Sequence, residues 1–223
     1  MSIKTRNQKL IIVLGPTASG KSDLAVSLAK KINGEVISAD SRQVYKGLDI
    51  GSGKITKEEM QGIPHCLLGV ADPKRRFSVA QYKKLAQVAI KKIQRQGKIP
   101  IICGGTGFYI QAVVDNIALP EVKPDWKLRK QLEKFNTDEL FKKLKKLDPR
   151  RSRNIDSHNQ RRLIRALEIV IKSGKPVPLF VIPAKAGIQN LKSGFRVKPG
   201  MTDYKNLTPP STLILGIKKS KKK

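Results

Sequence analysis

The chain has 223 residues, which is enough to bury one solid core and a small further domain. Its 46 Lys and Arg residues against 17 Asp and Glu give a formal net charge of +29, which favours a polyanionic partner, most often nucleic acid, over a generically basic surface. The two cysteines, Cys66 and Cys103, lie far apart and form no CxxC pair, which argues against a disulfide framework or a zinc site.

The sequence shows no sign of a membrane segment. No apolar run approaches the roughly 20 residues of a membrane-spanning helix, and the polar stretch from Met1 to Lys9 lacks the apolar core of a signal peptide. We therefore expect a soluble cytoplasmic protein with no membrane partner, and we take it to be a monomer.

The first half of the chain predicts strands that alternate with helices. Leu10 to Leu14 is a short, continuous apolar run, which is typical of a buried parallel strand. A glycine-rich turn and an amphipathic helix from about Lys21 to Ile32 follow, and Asn33-Gly34 ends that helix. A second short strand begins at Val36 and ends at Asp40.

A further helix and a third strand complete this pattern. Ser78, with Gln81 three residues later, predicts a capping box, and the helix that it opens should run to about Gln96. Ile99 to Cys103 predicts the third buried strand, which Gly104-Gly105-Thr106 follows. The order strand, helix, strand, helix, strand indicates an α/β fold: a parallel sheet flanked by helices, with right-handed crossovers.

The character of the chain changes after about Asn116. Charged amphipathic helices are predicted over Pro124 to Phe135, Leu140 to Leu147 and Asn159 to Ser173, and Asp148-Pro149 resembles an N-cap followed by an N1 proline. Pro183 to Asp203 has no clear period and predicts loop or disorder, before an apolar patch from Leu213. We therefore divide the chain into an α/β core (1–115), a small inserted basic helical domain (116–182) and an irregular tail (183–223).

The turn between the first strand and the first helix matches the phosphate-binding loop G-x-x-x-x-G-K-[ST] in full. Backbone N–H groups of such a loop converge on a phosphate, and the start of the following helix adds favourable partial positive charge. Lys21 should reach a terminal phosphate oxygen, and the Ser22 hydroxyl should ligate Mg²⁺. The residues predicted to bind the phosphates are Gly15, Pro16, Thr17, Ala18, Ser19, Gly20, Lys21 and Ser22. The loop indicates a di- or triphosphate, but it does not identify the reaction.

Asp40 is the second candidate site residue. A carboxylate at the carboxyl end of a strand lies in the crevice where α/β sheets bind their ligands. It could hold Mg²⁺ through water, act as a general base, or be a solvated residue at a strand end. Arg42, Gln43 and Lys46 follow closely and would suit contact with an anionic partner.

Together these segments resemble the bacterial tRNA dimethylallyltransferases, whose fold is P-loop NTPase-like. The loop GPTASGKS and the segment SADSRQVYKGLDIGSGK, from Ser38 to Lys54, are similar to that family's signature. Further matches follow in chain order over about residues 10 to 182: Pro64-His65 with Asp72-Pro73, then Ser78, Gly104-Gly105-Thr106 with Tyr109, and Arg162 with Arg165-Ala166-Leu167-Glu168.

The resemblance implies prenyl transfer to tRNA. It implies that the loop cradles the diphosphate of dimethylallyl diphosphate, that Mg²⁺ takes part, and that Asp40 is the base for the exocyclic amine of the adenosine 3′ of the anticodon. Asp40, Lys21 and Ser22 are accordingly the predicted catalytic residues. The residues that the resemblance implies to contact the anticodon stem-loop of tRNA are Asp40, Ser41, Arg42, Gln43, Thr106, Arg129, Arg161, Arg162, Leu163, Ile164 and Arg165.

The chain departs from the family pattern in two places. Gly69 stands where the family often has an acidic residue, and we expect little consequence. More importantly, the match stops near Ile182, and Pro183 to Asp203 resembles a translated bacterial repeat element. The family's remaining part includes an arginine expected to help hold the diphosphate. We therefore expect that residues 183–223 do not complete the family fold, and that the chain is a poor or inactive enzyme that still binds RNA.

Two other functions stay open. A nucleotide kinase or other P-loop ATPase would use the same loop, although the basic helical domain counts against it. An inactive fragment that binds RNA through charge alone would fit the composition. Trp126 could stack on a base, although packing within the helical domain is the commoner role.

Overall fold

The framework of the protein is a five-stranded parallel sheet, seen in a computed structural model that describes residues 10–120, 122–178 and 212–216. Its strands, in the order β3-β2-β4-β1-β5, are β1 (Leu10–Leu14), β2 (Gly34–Ser38), β3 (His65–Cys66), β4 (Ile99–Gly104) and β5 (Thr212–Gly216). All neighbouring strands are parallel. Ile12 and Val13 of β1 and Ile101 and Ile102 of β4 have no exposed surface, as expected for central strands that are covered on both faces.

Helices cover the two faces of the sheet. On one face, α1 (Lys21–Ile32) packs Ala25 and Ala29 against a cluster that includes Val13 and Val36. On the other face, α3 (Val79–Arg95) and α4 (Gly107–Val114) pack against Ile12 and Ile37. A short helix, α2 (Lys57–Met60), lies between β2 and β3 in the chain. This is the P-loop NTPase-like α/β fold that the sequence predicts.

The local predictions for this core are confirmed where the sequence pattern is strong. The first helix has the predicted bounds, and Asn33 ends it in the left-handed conformation at φ 53°. Ser78 and Gln81 form the predicted capping box of α3. The second strand ends at Ser38, so the prediction that it reaches Asp40 is wrong by two residues. The elements α2, β3 and α4 were not predicted from the sequence, because two of these are very short and α4 is apolar on nearly every side.

The helical unit is formed by the described residues from 118 to 178. Its helices are α5 (Trp126–Leu132), α6 (Thr137–Leu147), α7 (Pro149–Ser152) and α8 (Gln160–Ser173). They share a core that includes Leu140, Leu144, Leu163 and Leu167. Asp148 caps α7 and Pro149 is its first residue, as predicted, while α6 begins three residues earlier than predicted.

The chain separates into two compact units, with a boundary between Ile117 and Ala118. The apolar patch that begins at Leu213 forms β5, which pairs in parallel with β1 and therefore belongs to the core unit. The irregular segment predicted from Pro183 to Asp203 lies outside the described residues. In the portion of the chain that the structure describes, no helix is both long and apolar enough to cross a membrane.

Candidate active site

The predicted phosphate-binding loop lies between the carboxyl end of β1 and the start of α1. Two of its residues, Ala18 at φ 56° and Gly20 at φ 76°, adopt the left-handed conformation that curls the loop back on itself. Lys21 Nζ donates a hydrogen bond to the Pro16 carbonyl oxygen at 3.1 Å. This hydrogen bond holds the ammonium group against the loop backbone, where it would contact a phosphate bound by the loop.

One hydroxyl in this loop tests whether the loop fits an anion. Ser19 Oγ is buried, yet no other described residue forms a hydrogen bond with it. A buried donor without a partner costs about 1–3 kcal/mol, and a phosphate oxygen bound in the loop would remove that cost. The loop therefore has the geometry and the donors of a phosphate site.

Two glycines, the last residue of β4 and the residue that follows it, allow the carboxyl ends of three strands to lie close together. A Cβ atom on Gly104 would lie 2.2 Å from the Ala39 carbonyl oxygen. Because this is a steric clash with main-chain atoms, any larger residue would require the strands to move apart. A Cβ atom on Gly105 would lie 3.3 Å from the Gly15 carbonyl oxygen, which is tight. These glycines therefore set the spacing between the phosphate loop and the turn that follows β2.

Asp40 lies in that turn, two residues beyond β2. Its Oδ1 accepts hydrogen bonds from the backbone N–H groups of Arg42 at 2.8 Å and Gln43 at 3.3 Å. The N–H of Ser41 donates to Thr106 Oγ1 at 2.9 Å, and the N–H of Thr106 donates to the Ala39 carbonyl oxygen at 3.1 Å. The half-buried carboxylate is thus fixed through one oxygen, which leaves Oδ2 as the atom able to accept a proton.

The residues around Asp40 differ in what they offer to a partner. Ser41 and Arg42 are exposed, so their side chains are accessible to a partner. The side-chain amide of Gln43 instead forms hydrogen bonds within the α/β unit through both of its polar atoms. Ser38 Oγ donates to Gln43 Oε1 at 3.2 Å, and Gln43 Nε2 donates to the Gly53 carbonyl oxygen at 2.9 Å. Gln43 and Thr106 therefore hold the turn in place through their side chains.

Aromatic and sulfur side chains form the surroundings of this turn. Burial raises the pKa of Tyr109, and the neighbouring Tyr45 and the negative charge of Asp40 raise it further. Its ring stacks on that of Tyr82 with 4.1 Å between the centroids. Burial also raises the pKa of the Cys103 thiol to about 12, against the opposing effect of Lys21. Cys103 is therefore a neutral, buried side chain and not a nucleophile.

The oxygen donors present fit Mg²⁺ only together with a phosphate. Ser22 is half-buried at the second position of α1, beside the loop. In the described part of the chain, no group of three or more His, Cys, Asp or Glu residues could hold a metal ion. Mg²⁺ commonly takes one or two protein oxygens and completes its shell with water and substrate phosphate oxygens. Ser22 fits that pattern, whereas a site built from side chains alone does not.

In the helical unit, the predicted contact residues Arg129 and Arg165 surround one buried carboxylate. Glu168 has no exposed surface. It accepts hydrogen bonds from Arg129 Nε at 2.9 Å, Arg129 Nη2 at 2.7 Å and Arg165 Nη1 at 2.5 Å. Burial alone would raise the pKa of Glu168, but the hydrogen bonds from Arg129, the Asp125 N–H and Arg165 together hold that pKa below its usual value. This role of Glu168 was not evident from the sequence.

The remaining predicted contacts on α8 divide into two kinds. Arg161 and Arg162 are exposed and can reach a partner. Leu163 and Ile164 are buried in the core of the helical unit, so their side chains are not accessible to a partner. The contact of this segment with tRNA stays a prediction. Arg165 does not share an exposed face with Arg161 as its spacing suggests, because it turns inward to Glu168 and to the Val122 carbonyl oxygen.

The sheet and its loops define a P-loop NTPase-like α/β protein with an aspartate-bearing turn connected through residues 104–106 to the predicted phosphate-binding loop. A family model described as IPP transferase matches residues 43–196 of the chain. The chain belongs to the IPP transferase family, which confirms the resemblance seen in the sequence. The matched range runs to residue 196, so the prediction that the match to the family stops near Ile182 is wrong for this family model.

Similar proteins share both the sequence and the fold. The tRNA dimethylallyltransferase of Caldanaerobacter subterraneus is 47% identical over 173 residues, which cover 76% of this chain and 55% of that protein. The full-length tRNA isopentenylpyrophosphate transferase of Bacillus halodurans has a crystal structure that is 46% identical, with a TM-score of 0.51 over 76% of this chain and 57% of that one. A eukaryotic dimethylallyltransferase acting on tRNA is 36% identical, with a TM-score of 0.66 over 75% of this chain and 42% of that one. The chain thus spans about half the length of the curated relatives that it matches.

Proposed function

We propose that this chain transfers a dimethylallyl group from dimethylallyl diphosphate to the exocyclic amine of the adenosine 3′ of a tRNA anticodon. The relatives' names support this proposal. The observation that carries it is the connection of the predicted phosphate loop with the Asp40 turn through residues 104–106. This connection supports the proposal because it joins the loop and a carboxylate at the carboxyl ends of the parallel strands.

In the proposed reaction, the bond between the allylic carbon and the diphosphate oxygen breaks, and its electron pair leaves with the diphosphate. Lys21, the loop N–H groups and the Ser19 hydroxyl stabilise the charge that grows on the departing oxygens. The allylic centre becomes cation-like, so that a weak nucleophile can attack it. Ser22 would hold Mg²⁺, which supplies further neutralisation of the diphosphate charge when bound.

The nucleophile is the exocyclic amine of adenine, whose lone pair is delocalised into the ring. The new C–N bond forms from that lone pair, and the amine must then lose a proton. Asp40 accepts it on Oδ2, since Oδ1 is held by the N–H groups of Arg42 and Gln43. The fixed turn keeps the carboxylate in one orientation, which reduces the cost of reaching the transition state.

The RNA substrate is bound through charge and polar groups on both units. Exposed Ser41 and Arg42 on the core and exposed Arg161 and Arg162 on the helical unit are the proposed contacts with the anticodon stem-loop. Because the phosphate loop and Asp40 belong to one chain, we propose that a monomer suffices. A tRNA substrate would place the activity in the cytoplasm.

The test is single-turnover transfer of a labelled prenyl group to an unmodified anticodon stem-loop. We expect Mg²⁺-dependent transfer to adenosine and none to a stem-loop with inosine at that position, which lacks the amine. We also expect a rate below about 1 s⁻¹, because the sequence after residue 196 no longer matches the family model. ATP hydrolysis without transfer would instead identify a kinase or ATPase, and RNA binding without any transfer would identify an RNA-binding fragment.

A further inference from the structure

Trp126, the single tryptophan of the chain, lies at the surface of the helical unit. It is the first residue of α5, and 48% of its surface is exposed. It does not belong to the apolar cluster that Leu132, Leu140 and Leu163 form with their neighbours. Packing of the helical core, the commoner role for such a residue, therefore does not account for its position.

A fixed cation lies over the Trp126 ring. The guanidinium carbon of Arg129 is 4.8 Å from the ring centroid, within the range of a cation–π interaction. Arg129 cannot leave this position easily, because two of its nitrogens donate to the fully buried Glu168. Glu168 also accepts the N–H of Asp125 at 2.6 Å, which fixes the start of α5 itself. The indole ring is therefore held in a defined orientation despite its exposure.

The exposed ring borders a groove of about 470 Å³. Val122 and Pro124 give the groove an apolar lining, and Lys123 is an exposed cation at its edge. The one acidic residue of the lining, Asp125, is paired with Lys172 at 2.7 Å, so it presents little uncompensated negative charge. The groove thus offers an aromatic face, an apolar surface and positive charge within one small space.

We propose that Trp126 and this groove bind one unstacked nucleotide of the RNA substrate, with the base on the indole ring and the phosphate at Lys123. Residues 118–178 carry 17 Lys and Arg against 8 Asp and Glu, so the surrounding charge complements a polyanion. Single-stranded RNA bases characteristically stack on aromatic side chains beside basic grooves. The proposal rests on the proposed function only in that RNA is the substrate, and it adds a base-binding site in the helical unit.

Because Trp126 is the only tryptophan, its fluorescence reports on this site directly. We expect an anticodon stem-loop to quench the emission, and a fully paired RNA duplex of equal length to bind without comparable quenching. Binding itself is measured independently by the anisotropy of labelled RNA. Equal quenching by polyglutamate would assign the groove to an acidic protein partner and overturn the proposal.

Substitutions then separate stacking from charge and folding. Trp126→Ala should raise the Kd for the stem-loop about 5- to 150-fold, the range found for loss of one stacked base. Trp126→Tyr should keep the Kd within about threefold, since a tyrosine ring can still stack. Leu147→Ala is the matched control, because Leu147 is a similarly exposed apolar residue of the same unit and should leave the Kd unchanged. Circular dichroism confirms that each variant is folded.

The outcomes distinguish this proposal from the proposed function. RNA binding with unchanged emission and an unchanged Kd for Trp126→Ala would overturn the nucleotide site and leave prenyl transfer intact. If Trp126→Tyr lost as much affinity as Trp126→Ala, stacking would be excluded. If no RNA bound to the unaltered protein at all, both proposals would be wrong.

Discussion

The two units of the protein hold their functional side chains in place by different means. In the core, Lys21, Ser22 and Asp40 lie in or beside loops. Main-chain hydrogen bonds, residues in the left-handed conformation and glycines that lack a clashing Cβ atom give these loops their shape. In the helical unit, Arg129 and Arg165 are placed by a single buried carboxylate, and Arg129 is separated from it by 39 residues of sequence. Main-chain groups therefore position the functional side chains of the core, whereas one buried side chain positions the arginines of the helical unit.

This difference determines what a substitution does. A side chain on a main-chain scaffold can be removed with its surroundings intact, so its loss should affect function far more than stability. A buried carboxylate with two arginines cannot be removed without leaving their charges unpaired. Substitutions in the core should therefore separate binding from chemistry, whereas those at Glu168 should reduce both stability and RNA binding.

The largest expected effect is that of Asp40→Ala, which should lower prenyl transfer about 10²- to 10⁴-fold, the usual range for loss of a general base. Calorimetry with dimethylallyl diphosphate should show little change in affinity, because the phosphate loop does not depend on this side chain. Asp156→Ala is the control, since Asp156 is an exposed aspartate whose Oδ1 likewise accepts the N–H two residues later. Full-rate, Mg²⁺-dependent transfer by Asp40→Ala would exclude Asp40 as the base.

Glu168→Gln should lower the free energy of unfolding of the helical unit by about 3 kcal/mol, because Arg129 and Arg165 lose their shared counter-charge. Urea denaturation followed by Trp126 emission measures this unit specifically. Glu133→Gln, at an exposed position, is the control. Affinity for dimethylallyl diphosphate should persist in the Glu168 variant, and its loss would show that the two units do not behave differently.

The same residue should give the helical unit a defined sensitivity to acid. The pKa of Glu168 is lower in the folded protein than its ordinary value of 4.5. Its ionisation therefore contributes stability that is fully present above about pH 5 and is lost as the pH falls below 4.5 through the lowered pKa. The stability of Glu168→Gln should depend less on pH in this range. Identical pH dependence in the two proteins would show that Glu168 does not contribute this stability.

Lys21→Ala should weaken the binding of dimethylallyl diphosphate about 10- to 150-fold, as expected for loss of a hydrogen bond between charged groups. RNA binding should be nearly unchanged. Lys31→Ala is the matched control, since Lys31 is exposed in the last turn of the same helix. Unchanged calorimetric affinity of Lys21→Ala would contradict the assignment of the loop to the diphosphate.

The smallest effect concerns the exposed arginines of α8. Replacing both Arg161 and Arg162 with glutamine should weaken RNA binding and reduce its salt dependence by about one unit for each phosphate group that the protein no longer neutralises. Replacing the exposed pair Lys91 and Lys92 on α3 removes the same charge from the core unit and should change the slope less. Equal slopes for the two double variants would show that binding follows total charge alone. Arg165 is omitted, since it turns inward to Glu168.

The sequence predicted the features that depend on residues close to one another in the chain. The curled turn after β1, the helix that follows it and the Ser78 capping box all rest on spacings of a few residues, and the structure has each of them. Phosphate binding by that turn stays a prediction. Asp40 lies outside the second strand for an equally local reason. Its carboxylate accepts the N–H groups of Arg42 and Gln43, so the chain turns at this residue.

Features that depend on distant residues could not be predicted in this way. The spacing of four residues between Arg161 and Arg165 is that of one helix face, but it does not show that Glu168 and Arg129 meet beside Arg165. The apolar helix α4 has no polar side to give it a period, so its pattern did not distinguish it from a loop or a strand. The apolar patch at Leu213 suggested a strand, and only the structure identified β1 as its partner.

The pairing of β5 with β1 also has a consequence for synthesis. The ribosome releases β1 with the phosphate loop first, and the whole helical unit must follow before residues 212–216 are available. Throughout that interval the outer edge of β1 carries unpaired main-chain groups and an apolar strand, which is the kind of edge that pairs with other chains. The sheet then closes only when β5 pairs with β1, which lies about 200 residues earlier in the chain. Such contacts between distant segments form slowly. The nascent protein should therefore depend on chaperones most strongly just before β5 emerges.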